Sequence, residues 1–297
     1  MPTLAELQLA FLNSLKQDSP RRGGTVAGYG RALGRFVSWL QKAAATREVT
    51  PEHLTAERLV SFGRWLKAWQ QPSGAVLSAA AQNYHLSALR SFLAYLKGKG
   101  ETTLSALHLT LVKAPRPEVA VLSSAEMSRL LKAPLLTTEH PLVQLRDRAL
   151  LELLISTGLK TAEAAGLRRS NLRDGGGSLT LVKPKHQPRV VTLSHQARHH
   201  LERYLTERND TDEALFVRHD RAGRRATGAL TPRSLQRVLE HYRTVAKITK
   251  RLTPGSLRHT FAARLLEEGT DHQIVSGLLG HAHASTLKLY HYQHLQP

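Results

Sequence analysis

Leu252-Thr-Pro-Gly-Ser-Leu-Arg-His-Thr-Phe-Ala262 decides how the C-terminal half of this chain is read. Thr253 and Pro254 form an N-cap and first-turn pair. A threonine hydroxyl accepts from an open amide, and proline lacks the N–H that a first turn leaves unbonded. A helix therefore opens here and carries Arg258 and His259. Upstream, Ser123-Ser-Ala-Glu126 has the spacing of a capping box. Leu145 to Ile155 follows as a strongly apolar helix that Gly158 breaks. Asp174-Gly-Gly-Gly177 reads as a turn before two β-prone runs, Ser178 to Val182 and Arg189 to Leu193, joined through Lys183-Pro-Lys-His-Gln-Pro188. This is the only good hairpin signal in the chain. Downstream of Ala262 stand Leu278-Leu-Gly-His281 and, nine residues later, Tyr290.

The first hundred residues have a different texture. Apolar residues recur at helical spacing in four segments: Leu4, Leu7 and Phe11 after Thr3; Tyr29, Leu33, Phe36 and Leu40 after Thr25; Leu59, Phe62, Trp65 and Leu66 after Thr50-Pro51 and Thr55; and Leu86 to Leu96. Arg31, Arg35, Arg64 and Arg90 lie off these stripes and read singly as solvated helix faces. Lys113-Ala-Pro-Arg-Pro-Glu118 reads as an extended linker, since proline biases the residue before it away from helix. The expected organisation is mainly α with two domains, a helical 1–112, a linker 113–120, and an α+β domain 121–297 with a small antiparallel sheet.

The chain has 297 residues, 42 Lys and Arg against 23 Asp and Glu, and a formal charge of +19. Before Pro117 there are 15 basic and 6 acidic residues, and from Pro117 onward 27 and 17, so both halves carry the excess. A polyanion is the expected partner, and a generic nucleic-acid binder is the plainest account of the charge alone. Cysteine is absent, which excludes disulfides and thiolate metal sites. With no apolar run of membrane-spanning length and no basic, apolar leader, the chain reads as soluble and cytoplasmic, nucleoid-associated when on DNA.

Four stretches, in order, resemble the catalytic domain of the tyrosine recombinases, the phage integrase and Xer-like family. They are Arg146 to Glu163, which ends in Thr157-Gly-Leu-Lys-Thr-Ala-Glu163 against the family's Thr-Gly-Leu-Arg-x-x-Glu; the hairpin with its turn lysines; the segment around Arg258; and Leu278-Leu-Gly-His281 with Tyr290. The Thr25 to Tyr29 helix and Leu86 to Leu96 resemble the family's SAM-like core-binding domain. The resemblance implies a site-specific recombinase or integrase that holds double-stranded DNA between its domains, self-associates on it as dimer or tetramer, and needs no cofactor or metal. It implies Tyr290 as nucleophile, giving a 3′-phosphotyrosine, with Arg258 gripping the phosphate and His281 donating or managing protons. A turn lysine would protonate the leaving 5′-oxygen, Lys183 before Lys185.

Two positions depart from the pattern. The family's first arginine is Lys160, which keeps the charge without the bidentate fork, and its histidine three residues before Arg258 is Gly255. A water, or His283, His291 or His294, are candidate substitutes for that histidine. Only seven residues follow Tyr290, little for a tail that docks on a neighbour. Two other readings stay open, a catalytically silent DNA-binding protein on the same scaffold and a type IB topoisomerase-like enzyme. A metal-dependent nuclease is disfavoured, because no clustered carboxylates accompany the histidines.

Overall fold

Caps written in the sequence start most of the helices. Thr3 and Glu6 exchange hydrogen bonds at the head of α1 (Leu4–Asp18), with Thr3 N donating to Glu6 Oε2 at 2.8 Å and Glu6 N to Thr3 Oγ1 at 3.3 Å. α2 spans Gly23–Ala43, so Thr25 lies inside its first turn and not at its cap. Thr50-Pro51 opens only a short 3-10 turn, Pro51–His53. Thr55 then caps α3 (Ala56–Ala68) and Ser78 caps α4 (Ala79–Gly98). The computed structural model describes residues 1–18, 23–71, 73–102, 104–113, 120–181, 188–219 and 226–280. By its internal contacts the chain divides into Met1–Pro117 and Glu118–Pro297.

In the first unit the apolar stripes of the four helices meet, burying Leu33, Phe36, Leu59, Phe62, Leu89 and Phe92. Phe36 and Phe62 pack edge-to-face with ring centroids 4.9 Å apart, a favoured aromatic geometry. Arg35 departs from the solvated-face reading. Its guanidinium lies 4.0 Å from the centre of the Trp69 ring, and its Nη1 meets His85 Nε2 at 2.7 Å. Periodicity placed Arg35 off the apolar stripe, but could not show that Trp69, at the end of α3, would cover it.

The second unit is built on α6 (Pro141–Thr157), most of whose residues are buried, its charged ones paired as Arg146 with Asp147 and Arg148 with Glu152. α5 (Ser124–Lys132) packs on it after the expected capping box, in which Ser123 N donates to Glu126 Oε2 and Glu126 N to Ser123 Oγ. α7 (Thr161–Ala165) is a single short turn after Gly158. A three-stranded antiparallel sheet follows in the order β1 (Leu172–Arg173), β2 (Ser178–Leu181), β3 (Arg189–Thr192), with Leu179 opposite Val191. α8 (His195–Glu207) covers α6. Next comes a second antiparallel pair, β4 (Val217–His219) and β5 (Ala226–Ala229). This pair corrects the expectation of one hairpin. Ala226-Thr-Gly-Ala229 has little intrinsic strand preference, so the pairing is imposed by the surroundings, which include Leu230 N donating to Phe216 O at 2.9 Å. α9 (Pro232–Val245), α10 (Pro254–Glu267) and α11 (His272–Leu279) follow among the described residues. Among the described residues no helix is long and apolar enough to cross a membrane.

Gly158 ends α6 in the left-handed region at φ 58°, and a Cβ there would stand 2.6 Å from Phe261 Cδ1 and 3.0 Å from Leu279 Cδ2. Gly158→Ala therefore combines backbone strain with overpacking and is expected to cost roughly 2–4 kcal/mol. A thermal melt within a degree or two of wild type would contradict this.

His85, His200, His219 and His259 all have their pKa lowered, in each case first by burial. His200 is brought down to about 4, with the Arg148 cation the next cause. The unfolded chain takes protons below about pH 6.5, and the folded chain resists them. Stability present above that pH is therefore lost as pH falls, His200's share down to about 4. The thermal midpoint should drop between about pH 7.5 and 5.5, and less steeply in His200→Gln. A midpoint that rises over this range would overturn the assignment.

Candidate active site

The site is assembled from helix ends. At the head of α10 the Thr253 hydroxyl accepts from Ser256 N at 3.1 Å, and Thr253 N donates to Ser256 Oγ at 3.2 Å, which fixes the first turn. Arg258 follows one turn on and is 6% exposed. Its Nη1 donates to Gly158 O at 2.7 Å and its Nη2 to Leu279 O at 2.6 Å. Gly158 caps the C-terminus of α6 and Leu279 is the last residue of α11. Both acceptors are carbonyls that a helix leaves open at its negative end, where a cation is favoured. The guanidinium is thereby held in a fixed plane between two helices. It also helps to keep its neighbour His259 neutral, after burial.

Lys160 stands two residues beyond Gly158, at the N-cap of α7, and is half-buried. Its backbone N donates to Glu163 Oε2 at 2.9 Å. The structure thus brings Lys160 and Arg258 to the same corner, through the Gly158 carbonyl that Arg258 binds. Gly255 occupies the first turn of α10, and among the described residues a Cβ there would meet only Thr253 Oγ1, at 3.2 Å. A Cβ at 255 therefore requires its neighbour to shift by a few tenths of an ångström, and no left-handed backbone stands in its way.

Lys183 and Lys185 fall in residues 182–187, between β2 and β3, and lie outside the described residues. So do His281, which directly follows Gly280, and Tyr290, His283, His291 and His294. Among the described residues no group of three His, Asp or Glu side chains is placed to hold a metal ion.

Two residues given no role in the sequence reading belong to this corner. Glu163 receives Arg189 Nη2 at 2.9 Å on the same oxygen that caps Lys160, and Arg189 Nη1 donates to Leu279 O at 2.7 Å. Glu163 stood at the end of the first quoted stretch, which was a usable signal. Arg189 read only as the first residue of a strand, and nothing local marked it.

The phage integrase family profile matches residues 120–297, and the profile of the phage integrase N-terminal SAM-like domain matches residues 9–100. Tyrosine recombinase XerD of Oceanobacillus iheyensis is 31% identical over 288 residues, covering 94% of this chain and 91% of the relative. XerD of Chlorobaculum tepidum is 30% identical, covering 94% and 89%. Among solved structures, the XerH site-specific recombinase bound to difH substrate superposes with a TM-score of 0.71 at 20% identity, over 96% of this chain and 81% of that one. The Tn1549 transposon integrase in complex with transposon right end DNA gives 0.71 at 15% identity, over 96% and 94%. With the SAM-like helical domain, the α+β domain and the ordered motifs all present, the chain belongs to the phage integrase family of tyrosine recombinases.

Proposed function

We propose the following assignment of roles for a site-specific tyrosine recombinase, which cuts and rejoins duplex DNA through a 3′-phosphotyrosine intermediate. Tyr290 is the nucleophile. Its phenol passes its proton to solvent water, a bond forms between Tyr290 Oη and phosphorus, and the bond from phosphorus to the 5′-oxygen breaks. That oxygen leaves as a hydroxyl with a proton from Lys183 or, as second choice, Lys185. Arg258 and His281 serve the non-bridging oxygens, and Lys160 adds a less directional positive contact. Rejoining runs the same steps backward onto a new strand, so the linkage conserves bond energy. The division into a DNA-binding 1–112, a linker 113–120 and a catalytic 121–297 belongs to the same reading.

The observation that carries it is the fixed Arg258. Phosphoryl transfer depends on donors already aimed where charge develops, and such donors lose most of their value if they must reorganise. A guanidinium held by two helix-terminal carbonyls, at 2.7 and 2.6 Å, meets that need. Nothing in the structure favours a silent scaffold or a DNA-swivelling enzyme over it.

The family pattern carries arginine where this chain has Lys160 and histidine where it has Gly255. We infer a slower reaction and not a different one, since charge is retained at 160 and, among the described residues, a Cβ at 255 meets only a threonine hydroxyl at 3.2 Å. The test is the rate of denaturant-resistant attachment to a supercoiled plasmid bearing the gene's flanking DNA. Wild type should attach slowly, and the Lys160→Arg, Gly255→His double variant about 10- to 100-fold faster, part of the roughly 10²-fold that one missing donor or proton-transfer group costs. Attachment by neither protein would sink the reading.

A further inference from the structure

Arg189 is the first residue of β3, directly after the stretch that contains Lys183 and Lys185. Its guanidinium reaches away from the sheet to two acceptors, Glu163 Oε2 at 2.9 Å and Leu279 O at 2.7 Å. The side chain is 17% exposed and that of Glu163 6%, so the ion pair is shielded from water. Leu279 O also receives Arg258 Nη2 at 2.6 Å, so one carbonyl oxygen gathers two guanidinium groups. Glu163, for its part, caps the backbone N of Lys160 at 2.9 Å with the oxygen that binds Arg189. Arg189 is therefore the junction of three separate motif segments: the start of α7 with Lys160, the strand that follows the turn lysines, and the end of α11, after which the chain runs through Gly280 to His281.

Gly280 shows that the close approach is built in. It adopts φ 62°, and a Cβ on it would fall on Arg189 Nη1. Its own N–H donates back to Gly277 O at 3.0 Å, closing the helix. Glycine is needed here both for the backbone conformation and for the space that the guanidinium fills.

We propose that Arg189 is a positioning residue for strand cleavage: by binding Glu163 and the Leu279 carbonyl together, it fixes the end of α11 against Arg258 and sets the point from which the chain enters His281. The role rests on the reading of Arg258 and His281 as phosphate ligands. The planar fork donates to the two acceptors from two separate nitrogens. A lysine at 189 keeps the charge but must serve both from one nitrogen on a flexible stem, without the fixed geometry. Small displacements of catalytic groups are costly, on the order of 10²-fold for about 1 Å, so a loosened junction should slow the chemical step and leave DNA affinity nearly unchanged.

The test uses full-length Arg189→Met and Arg189→Lys beside wild type, after thermal melts show which are folded. Three quantities are measured: DNA affinity, the rate of Tyr290-dependent attachment at saturating DNA, and hydrogen exchange at the Gly280 amide. Affinity is expected to change less than about threefold, while attachment slows about 10²-fold in Arg189→Met and more than about tenfold in Arg189→Lys. Gly280 exchange should accelerate at least about tenfold, since its hydrogen bond closes the helix end that Arg189 holds. An attachment rate within about twofold of wild type in folded Arg189→Met, or a loss explained wholly by weaker DNA binding, would overturn the proposal. If Arg189→Met fails to fold, Glu163→Gln replaces it. Combining that change with Arg189→Lys should then cost little more than either alone, because both break one junction, and full additivity would refute the link. If wild type itself forms no attachment, the recombinase roles fail, and Gly280 exchange alone decides Arg189. Faster exchange upholds the anchor, and unchanged exchange removes it.

Discussion

Tyr290→Phe is expected to bind duplex DNA as tightly as wild type and to form no denaturant-resistant protein–DNA attachment. The change deletes one oxygen, the atom assigned to attack phosphorus, and no other group in the proposed chemistry supplies a covalent route. DNA affinity comes from elsewhere, from a formal charge of +19 spread over both halves of the chain. Phosphate neutralisation by many Lys and Arg side chains releases counterions, so binding by both proteins should weaken steeply and equally as salt rises. Plasmid incubation, denaturation and gel separation read the attachment, and titration at several salt concentrations reads the binding. Attachment that persists in Tyr290→Phe would assign the nucleophile elsewhere. A binding constant indifferent to salt would remove the electrostatic basis of the DNA assignment.

The second large effect is expected at Arg258. Arg258→Lys keeps a cation on α10 but cannot donate to Gly158 O and Leu279 O at once, as the guanidinium does at 2.7 and 2.6 Å. Loss of the donor to Gly158 O costs about 1–3 kcal/mol, and loss at Leu279 O costs less, since that carbonyl keeps Arg189; either way the phosphate loses a planar partner. The attachment rate should fall about 10²- to 10³-fold, the usual cost of one poorly replaced oxyanion donor. The melting temperature should fall by several degrees at most. Arg258→Ala should match or exceed the loss of rate and melt lower still, because both carbonyls are then without this donor. Single-turnover attachment at saturating DNA separates this from a defect in binding. A rate within tenfold of wild type for Arg258→Lys would mean that the fork is not what the reaction uses.

What the sequence alone determined is whatever physics acts within a few residues. The Ser123 and Glu126 box, the Thr253 cap before Pro254 and the helix stop at Gly158 were all legible, because each depends on hydrogen bonds or backbone sterics inside one turn. Helical periodicity likewise marked Phe36, Phe62 and Phe92 as core residues, since a stripe that repeats every third or fourth residue must be covered by something. The order of the four motif stretches was legible only as a resemblance to the tyrosine recombinases, and that resemblance placed Arg258 and Lys160 among the candidates. Tertiary structure alone decided the rest. Arg258 and Gly158 are 100 residues apart, Arg189 and Leu279 are 90 apart, and Arg189 and Glu163 are 26 apart. No local preference encodes such pairs, because each forms only after α6, α7, α10, α11 and the sheet have packed and brought helix ends together. The same holds for Arg35 over Trp69 and for the β4–β5 pair, whose alanines and glycine form a strand because their surroundings hold it. The sequence could name candidates for the site, but only packing could show that a single carbonyl, at Leu279, joins Arg258 and Arg189.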